Sequence, residues 1–380
     1  MNRPSVVVIT TSFPILGDGS EAAGGFVFDL VVEMAQHVDV RVVAPGPVAE
    51  CSILQQGVEI IRFPAPDKAL SNIRIWNPLD AVATLRVLQA GDRAVRQALE
   101  SGAVRHVFAL WALPCGWWAW RASRKEGIAY SVWALGSDIW HLGRLPVVRQ
   151  VLRFVLRNAK RCFADGINLA ADVKKISDRK VEFLPSTRKI ERRRKELLRN
   201  APPYRLLFLG RWHPNKGIDL LLEALQLLSG QDWSRIESVT ICGGGPMCSI
   251  VERGTAILKR SGRPVTVRGF IDKAAAESAI LEADYLLLPS RVESIPVVFS
   301  DAVKLKCPVL ATPVGDLPRL YSGQNPPGLI AQDVTPEAYA SLLSLALGYC
   351  PLSFEEGLSE ISGVFDLGSI VRRLREVAEV

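Results

Sequence analysis

Glu293 and Asp301 lie eight positions apart in the stretch "ESIPVVFSD", on either side of a short apolar run. Ionised carboxylates only accept hydrogen bonds, so such a pair suits the hydroxyls of ribose or hexose rings. Pro296 stands between them. Its fixed φ and missing N–H fit the first position of a helix, which puts a helix start at about Ile295 to Val297. Free amides and the positive end of the helix dipole would then point at the same place, an environment that favours a phosphate. Glu293 would reach in from the preceding loop and Asp301 from one turn inside the helix. The bland alternative is a loop-ending glutamate and a solvated aspartate.

A second set of groups lies upstream, in "LGRWHPNKGIDLL" at 209–221. Arg211 can make bidentate hydrogen bonds to phosphate oxygens and Lys216 adds a point charge at a helix start, so both can converge on one diphosphate. Alone, the stretch would read equally as surface cations flanking a loop. "CGGGP" at 242–246 supplies Gly244 in another glycine-rich strand-to-helix crossing, although a tight turn there needs no ligand. Gly24 and Gly25, directly before "FVFDLVVEM", would allow backbone to approach a ligand closely, or merely turn the chain. "GDGSEA" at 17–22 fits the form G-x-G-x-x-A. A dinucleotide fingerprint, however, places its glycines immediately after the strand and an acidic residue after the next one. Here "SFPIL" intervenes and "VRVVAPGP" ends in no acid, which argues against a nicotinamide or flavin cofactor.

These groups need sheets to position them. Short β-branched runs ("SVVVIT", "DVRVVAP", "VEIIRF", "VRHVFAL", "IAYSVWAL", "RCFAD") alternate with helical patterns in the first half. "YRLLFLG", "ESVTIC", "PVTVRGF", "ADYLLLPS", "CPVLAT" and "GLIAQD" repeat the rhythm in the second. Continuous apolar strands alternating with helices specify parallel sheets covered on both faces. The fold class is therefore α/β, with two doubly wound, Rossmann-like domains facing across a cleft, as 380 residues would suggest. The expected layout is an N-terminal domain at 1–185, a charged linker at 186–203 ("STRKIERRRKELLRNAPP"), a C-terminal domain at 204–362 and a closing helix at 363–380. Ligand should bind at the carboxyl ends of the strands.

Composition narrows the function. At 48% hydrophobic and 22% charged residues the chain is a folded globular one. Seven cysteines without C-x-x-C spacing and four scattered histidines give no zinc site and point to a reducing compartment. The longest apolar run, 107–120, contains Pro114 and Gly116 and falls short of the ~20 residues a membrane span needs. The start, "MNRPSVVVITTSFP", reads as a first strand and not as a signal peptide. Net charge is +10 over residues 1–200 and −3 over the rest. Much of the excess lies in "GRLPVVRQVLRFVLRNAKR" at 143–161, a basic amphipathic pattern near Trp111, Trp117, Trp118, Trp120, Trp133 and Trp140. It could rest on an anionic membrane surface or pack on the sheet with a solvated basic face. No nucleic-acid module is legible.

"LGRWHPNKGIDLLLEAL", "CGGGP", "VRGFIDK", "ADYLLLPSRVESIPVVFSDAV" and "CPVLATPVGDLP", in this order, resemble glycosyltransferase family 4 (group 1), retaining nucleotide-sugar enzymes of the GT-B fold. "SFP", "GGFVFDL" and "WALGSDIW" resemble that family's N-terminal landmarks, so the likeness covers nearly the whole chain and is strongest over 205–320. The resemblance implies that Arg211 and Lys216 bind the donor diphosphate and Glu293 the donor sugar. It further implies that the amides of Ile295, Val297 and Val298 line the phosphate and that Asp301 holds the ribose. Phe270 and Ile271 match the segment that contacts the base, Gly24 and Gly25 the loop that closes on the donor, and the resemblance implies that the closing helix at 363–380 returns to the N-terminal domain. In this chain Asp301 stands where the family commonly has Glu, Ser294 where Gly is frequent, and Leu135 where a histidine often precedes "GSD". The implied activity is transfer of a hexose-type sugar from a UDP- or GDP-sugar to a glycan or lipid-linked acceptor, in cell-surface polysaccharide or lipopolysaccharide synthesis. It would take place in the cytoplasm or on the inner face of its membrane, with no metal or other cofactor. A noncatalytic sugar-nucleotide binder and a nicotinamide-dependent oxidoreductase are the alternatives.

Overall fold

The computed structural model describes residues 3–15, 21–54, 56–66, 78–100 and 103–380. "GDGSEA" falls mostly outside them. The chain divides into two compact units, Met1–Pro185 with Leu367–Val380, and Ser186–Asp366.

In the first unit the strands are β1 (Ser5–Ile9), β2 (Asp39–Gly46), β3 (Glu50–Ile53), β4 (Glu59–Pro64), β5 (Val104–Leu110), β6 (Tyr130–Ala134), β7 (Arg161–Ala164) and β8 (Glu182–Phe183). They form one sheet in the order β3-β4-β2-β1-β5-β6-β7-β8. All pairs are parallel except β3 with β4. Every residue of β1 and β6 is buried, as expected of strands covered on both faces. β3 was not legible in advance because an edge hairpin strand has no buried face, and its residues are exposed or half-buried. The helix Leu367–Ala378 packs on the helix Glu21–Ala35 of the same unit, and Arg373 donates to the Phe183 carbonyl at 3.1 Å.

The second unit is built on β9 (Tyr204–Leu209), β10 (Ile236–Cys242), β11 (Val265–Arg268), β12 (Tyr285–Leu288), β13 (Val309–Ala311) and β14 (Gly328–Ile330). All pairs are parallel, in the order β11-β10-β9-β12-β13-β14. The chain works outward from β9 to one edge, then returns to β12 and works to the other, so the topological switch point lies between β9 and β12.

Residues 186–203, expected as a linker, are part of this unit. Buried acceptors hold the segment. Fully enclosed Glu277 accepts the amide of Arg192 at 3.1 Å. Arg194 donates to the carbonyls of Leu305, Leu281, Ile280 and Ala283, the last three at the end of the helix Lys273–Glu282. The density of charge that suggested a solvated connector instead supplies caps for carbonyls a helix end leaves open.

Candidate functional site

At the switch point two loops meet. The one after β9 runs through a short 3₁₀ turn, Pro214–Lys216, into the helix Ile218–Leu227. Gly217 joins them at φ +68°, and a Cβ there would lie 1.9 Å from the Pro289 carbonyl oxygen just beyond β12, so no other residue fits. Arg291, in the β12 loop, donates bidentately to Asp219 at 2.7 and 2.9 Å, and its amide reaches the Asn215 carbonyl at 2.8 Å. This clasp sets Lys216 Nζ against Glu293 Oε1 as an ion pair. Ser290 Oγ lies 3.2 Å from the same oxygen.

Behind the β12 loop stands the turn after β13. Gly315, at φ +59°, leaves room for the Glu293 and Ser294 carbonyls, each of which would lie 2.3 Å from a Cβ. The Asp316 amide donates to the Ser294 carbonyl at 3.1 Å. Pro296 is the N-cap, with ψ 137°, and the helix runs Val297–Lys304. The proline therefore stands one position earlier than the sequence suggests, because its ψ is extended even though its φ is helix-like. No side chain caps this helix and its first turn holds no acid. The amides of Val297 and Val298 accordingly lack intrahelical partners. Ile295 is buried just before the cap.

Arg211 is exposed, and among the described residues its side chain has no hydrogen-bond or ion-pair partner. Between it and Lys216 sits His213, noted from sequence only as one of four scattered histidines. Its Nδ1 accepts the Asn215 amide at 3.2 Å. Burial, then the positive charges of Arg211 and Lys216, push its pKa below the ordinary histidine value, so all three belong to one electropositive locale. Their two- and three-residue spacing was the available signal. Gly244 and Phe270 are also brought together: a Cβ on Gly244 would lie 2.5 Å from the Phe270 ring, which is 55% exposed. Ile271 beside it is half-buried.

Asp301 lies about one turn inside the helix Val297–Lys304, as the sequence suggests, but it is engaged within the protein. It is fully buried, and its Oδ2 accepts Arg188 Nε at 2.9 Å and also Arg188 Nη2. Arg188 was read as part of the linker, so nothing in the sequence paired the two.

In the first unit Gly24 and Gly25 lie inside the helix Glu21–Ala35 and not in a loop before it. Gly24 packs against Pro14, whose carbonyl accepts Arg62 Nη2 at 2.6 Å. In "WALGSD", the completely enclosed Asp138 accepts the Ala112 amide at 2.5 Å and the Leu135 amide at 3.3 Å, tying the turn after β5 to the turn after β6. Burial pushes its pKa up to about 6 against the pull of these amides. The basic amphipathic pattern is the helix Pro146–Asn158, and it buries Leu152, Val155 and Leu156 within its own unit. Arg149, Arg153 and Arg157 remain exposed, as does Phe154, which contacts Trp120 edge-on at 4.8 Å. Trp118 and Trp133 belong to the core. Among the described residues no helix is long and apolar enough to cross a membrane.

Residues 203–347 match the family described as Glycosyl transferases group 1. A D-inositol 3-phosphate glycosyltransferase of Jonesia denitrificans is 31% identical over 153 residues, 38% of this chain and 34% of that protein. The match thus spans about a third of the length of this curated relative. Among solved structures, a sucrose-phosphate synthase from Thermosynechococcus elongatus superposes with a TM-score of 0.74 at 17% identity, covering 99% of this chain and 98% of that one. HepE of Anabaena, solved in complex with UDP and glucose, gives 0.71 at 14% identity, covering 98% and 99%. At these identities the structural likeness establishes the fold, which is GT-B.

Proposed function

From a chain whose residues 203–347 match the group 1 glycosyl transferases and whose fold is GT-B, we infer a retaining glycosyltransferase that uses a nucleotide-diphosphate sugar. The observation that carries this reading is the Lys216–Glu293 pair, held at the switch point beside the uncapped start of the helix Val297–Lys304. Cation, carboxylate and free amides are the groups that a diphosphate joined to a sugar requires.

Arg211, Lys216 and the amides of Val297 and Val298 bind the diphosphate and stabilise the charge it gains on leaving. Arrival of the diphosphate draws Lys216 from Glu293, whose carboxylate then accepts from hydroxyls of the donor sugar. The acceptor oxygen bonds to the anomeric carbon on the face from which the phosphate departs, and a leaving phosphate oxygen takes the acceptor's proton. Configuration is retained and no protein base is needed, so Leu135 in place of a histidine is compatible with turnover. The rate comes from positioning and from electrostatic stabilisation of the leaving group. The protein's own cations carry that charge, and we assign no metal.

UDP- or GDP-linked hexoses are the proposed donors. The proposed acceptor is a glycan or lipid-linked saccharide of cell-surface polysaccharide or lipopolysaccharide synthesis. Exposed Phe154 and Val147 among the arginines of the helix Pro146–Asn158 support docking on an anionic membrane face.

UDP or GDP should raise the melting temperature and NAD should not. With a matching sugar donor, nucleoside diphosphate should be released and the product should keep the donor's anomeric configuration by NMR. Lys216→Ala should lower kcat by roughly 10²-fold or more. Stabilisation by NAD alone would sink the reading, and nucleotide binding without turnover on any donor would reduce it to that of a sugar-nucleotide binder.

A further inference from the structure

Arg291 holds the stretch after β9 at three points. Its Nη1 donates to the Pro214 carbonyl at 3.0 Å and its amide to the Asn215 carbonyl at 2.8 Å. Nη1 and Nη2 together grip the two oxygens of Asp219 at 2.7 and 2.9 Å. Lys216 lies inside the bracketed stretch, and Glu293 follows Arg291 by two residues. The planar fork of an arginine meets a carboxylate in one orientation, which the point charge of a lysine does not impose. Asp219 is fixed in its turn, in the first turn of the helix Ile218–Leu227, where the dipole favours an acid. The Arg291 and Asp219 side chains are 35% and 26% exposed, and a partly exposed ion pair holds structure where its geometry is bidentate.

Among the described residues, two sets of side-chain hydrogen bonds join this stretch to the loop after β12: those of Arg291, and the Lys216–Glu293 ion pair. In the reaction proposed above the ion pair opens, because the arriving diphosphate draws Lys216 from Glu293. The Arg291 set remains. We propose that Arg291 is a positioning residue for the transfer step: locked on Asp219, it keeps Lys216 and Glu293 in register once the donor has parted them, so that phosphate and sugar stay in one geometry as the bond between them breaks. This rests on the transferase reading and extends it from the groups that touch the donor to a pair that does not. Engaged by Asp219 and Pro214, the guanidinium is not offered to the diphosphate. An interaction that shapes the transition state without holding the nucleotide is read in kcat and not in nucleotide affinity.

The test is a double-mutant cycle on the full chain. Turnover is read as nucleoside diphosphate released from the sugar donor the chain uses best, and affinity by calorimetric titration with UDP and with GDP. Arg291→Lys keeps the charge and loses the fork, whereas Asp219→Asn keeps the shape and loses the charge. Each should lower kcat by about tenfold or more while nucleoside diphosphate affinity stays within about threefold of wild type. The double variant should lose no more than about threefold beyond the worse single one, because the two residues act as a unit. Melting curves set the assay temperature below every transition, and the isosteric Asp219→Asn carries both readouts if Arg291→Lys does not fold. Unchanged kcat in the single variants, or losses that multiply in the double one, overturns the proposal and leaves the transferase reading intact. So does weaker nucleotide binding in Arg291→Lys with tighter binding in Asp219→Asn, which makes Arg291 a ligand of the diphosphate. A wild-type chain that binds neither UDP nor GDP overturns both.

Discussion

Lys216 and Glu293 lie 77 positions apart in the chain and meet at one hydrogen bond, and His213 caps the turn that carries Lys216. In the free protein, burial and then the two cations hold His213 below its ordinary pKa. A bound diphosphate offsets those cations, so binding favours the protonated ring and is accompanied by proton uptake. Nucleoside diphosphate affinity should therefore rise as pH falls from 7 to 5.5, by about threefold to tenfold beyond the change seen in His213→Asn. Calorimetry in buffers of different ionisation enthalpy would count the proton, and identical profiles for the two proteins would exclude the ring from the site. Arg211, Lys216 and Glu293 were legible as residue types in sequence, because the need for cations and acceptors around a sugar diphosphate is a matter of chemistry. The Arg188–Asp301 pair was not, since 113 positions separate its members and only the folded chain brings them together.

At the level of elements, the site is a product of loops that follow β9, β12 and β13, each short and each backed by the next. Gly217 is the joint between the first two. Gly217→Ala meets both a positive φ and a backbone oxygen, and should destabilise the protein by about 3 kcal/mol or more by denaturant titration. A cost under about 1 kcal/mol would mean that the two loops do not clasp as described. Strand and helix identities were readable because a run such as "YLLLP", buried throughout β12, has few other places to go. Pro296 shows the limit. Its fixed φ announces a helix start, but ψ is set by the neighbouring turn, and the helix begins one residue later. Gly24 and Gly25 show it again, since glycines that look like a loop were absorbed into a helix whose packing on Pro14 requires a missing side chain.

The two units carry separate handles on stability. Asp138 is raised to about 6 in the folded first unit, against about 3.9 in an unfolded chain. Its favourable contribution is thus complete below the unfolded value and is lost as pH rises through about 6. Taken alone, it makes the first unit more stable at pH 4 than at pH 7 by up to about 3 kcal/mol, and Asp138→Asn should abolish that slope. Nucleoside diphosphate, by contrast, should act on the unit Ser186–Asp366 through mass action. Scanning calorimetry at pH 4 to 7, with and without nucleotide, should therefore separate a pH-sensitive Asp138-dependent component from a ligand-sensitive one. A nucleotide effect lost in Asp138→Asn would contradict this assignment.

The sequence by itself determined that the chain builds two parallel-sheet units and which residue types could hold a sugar diphosphate, because strand burial and side-chain chemistry are local properties of the residues. The tertiary structure alone decided partnership. It closed Lys216 on Glu293, moved 186–203 from connector to cap, and spent half of Asp301 on Arg188. Such pairings depend on which loops a sheet order places side by side, and neighbours in space are not written in the spacing of residues along the chain.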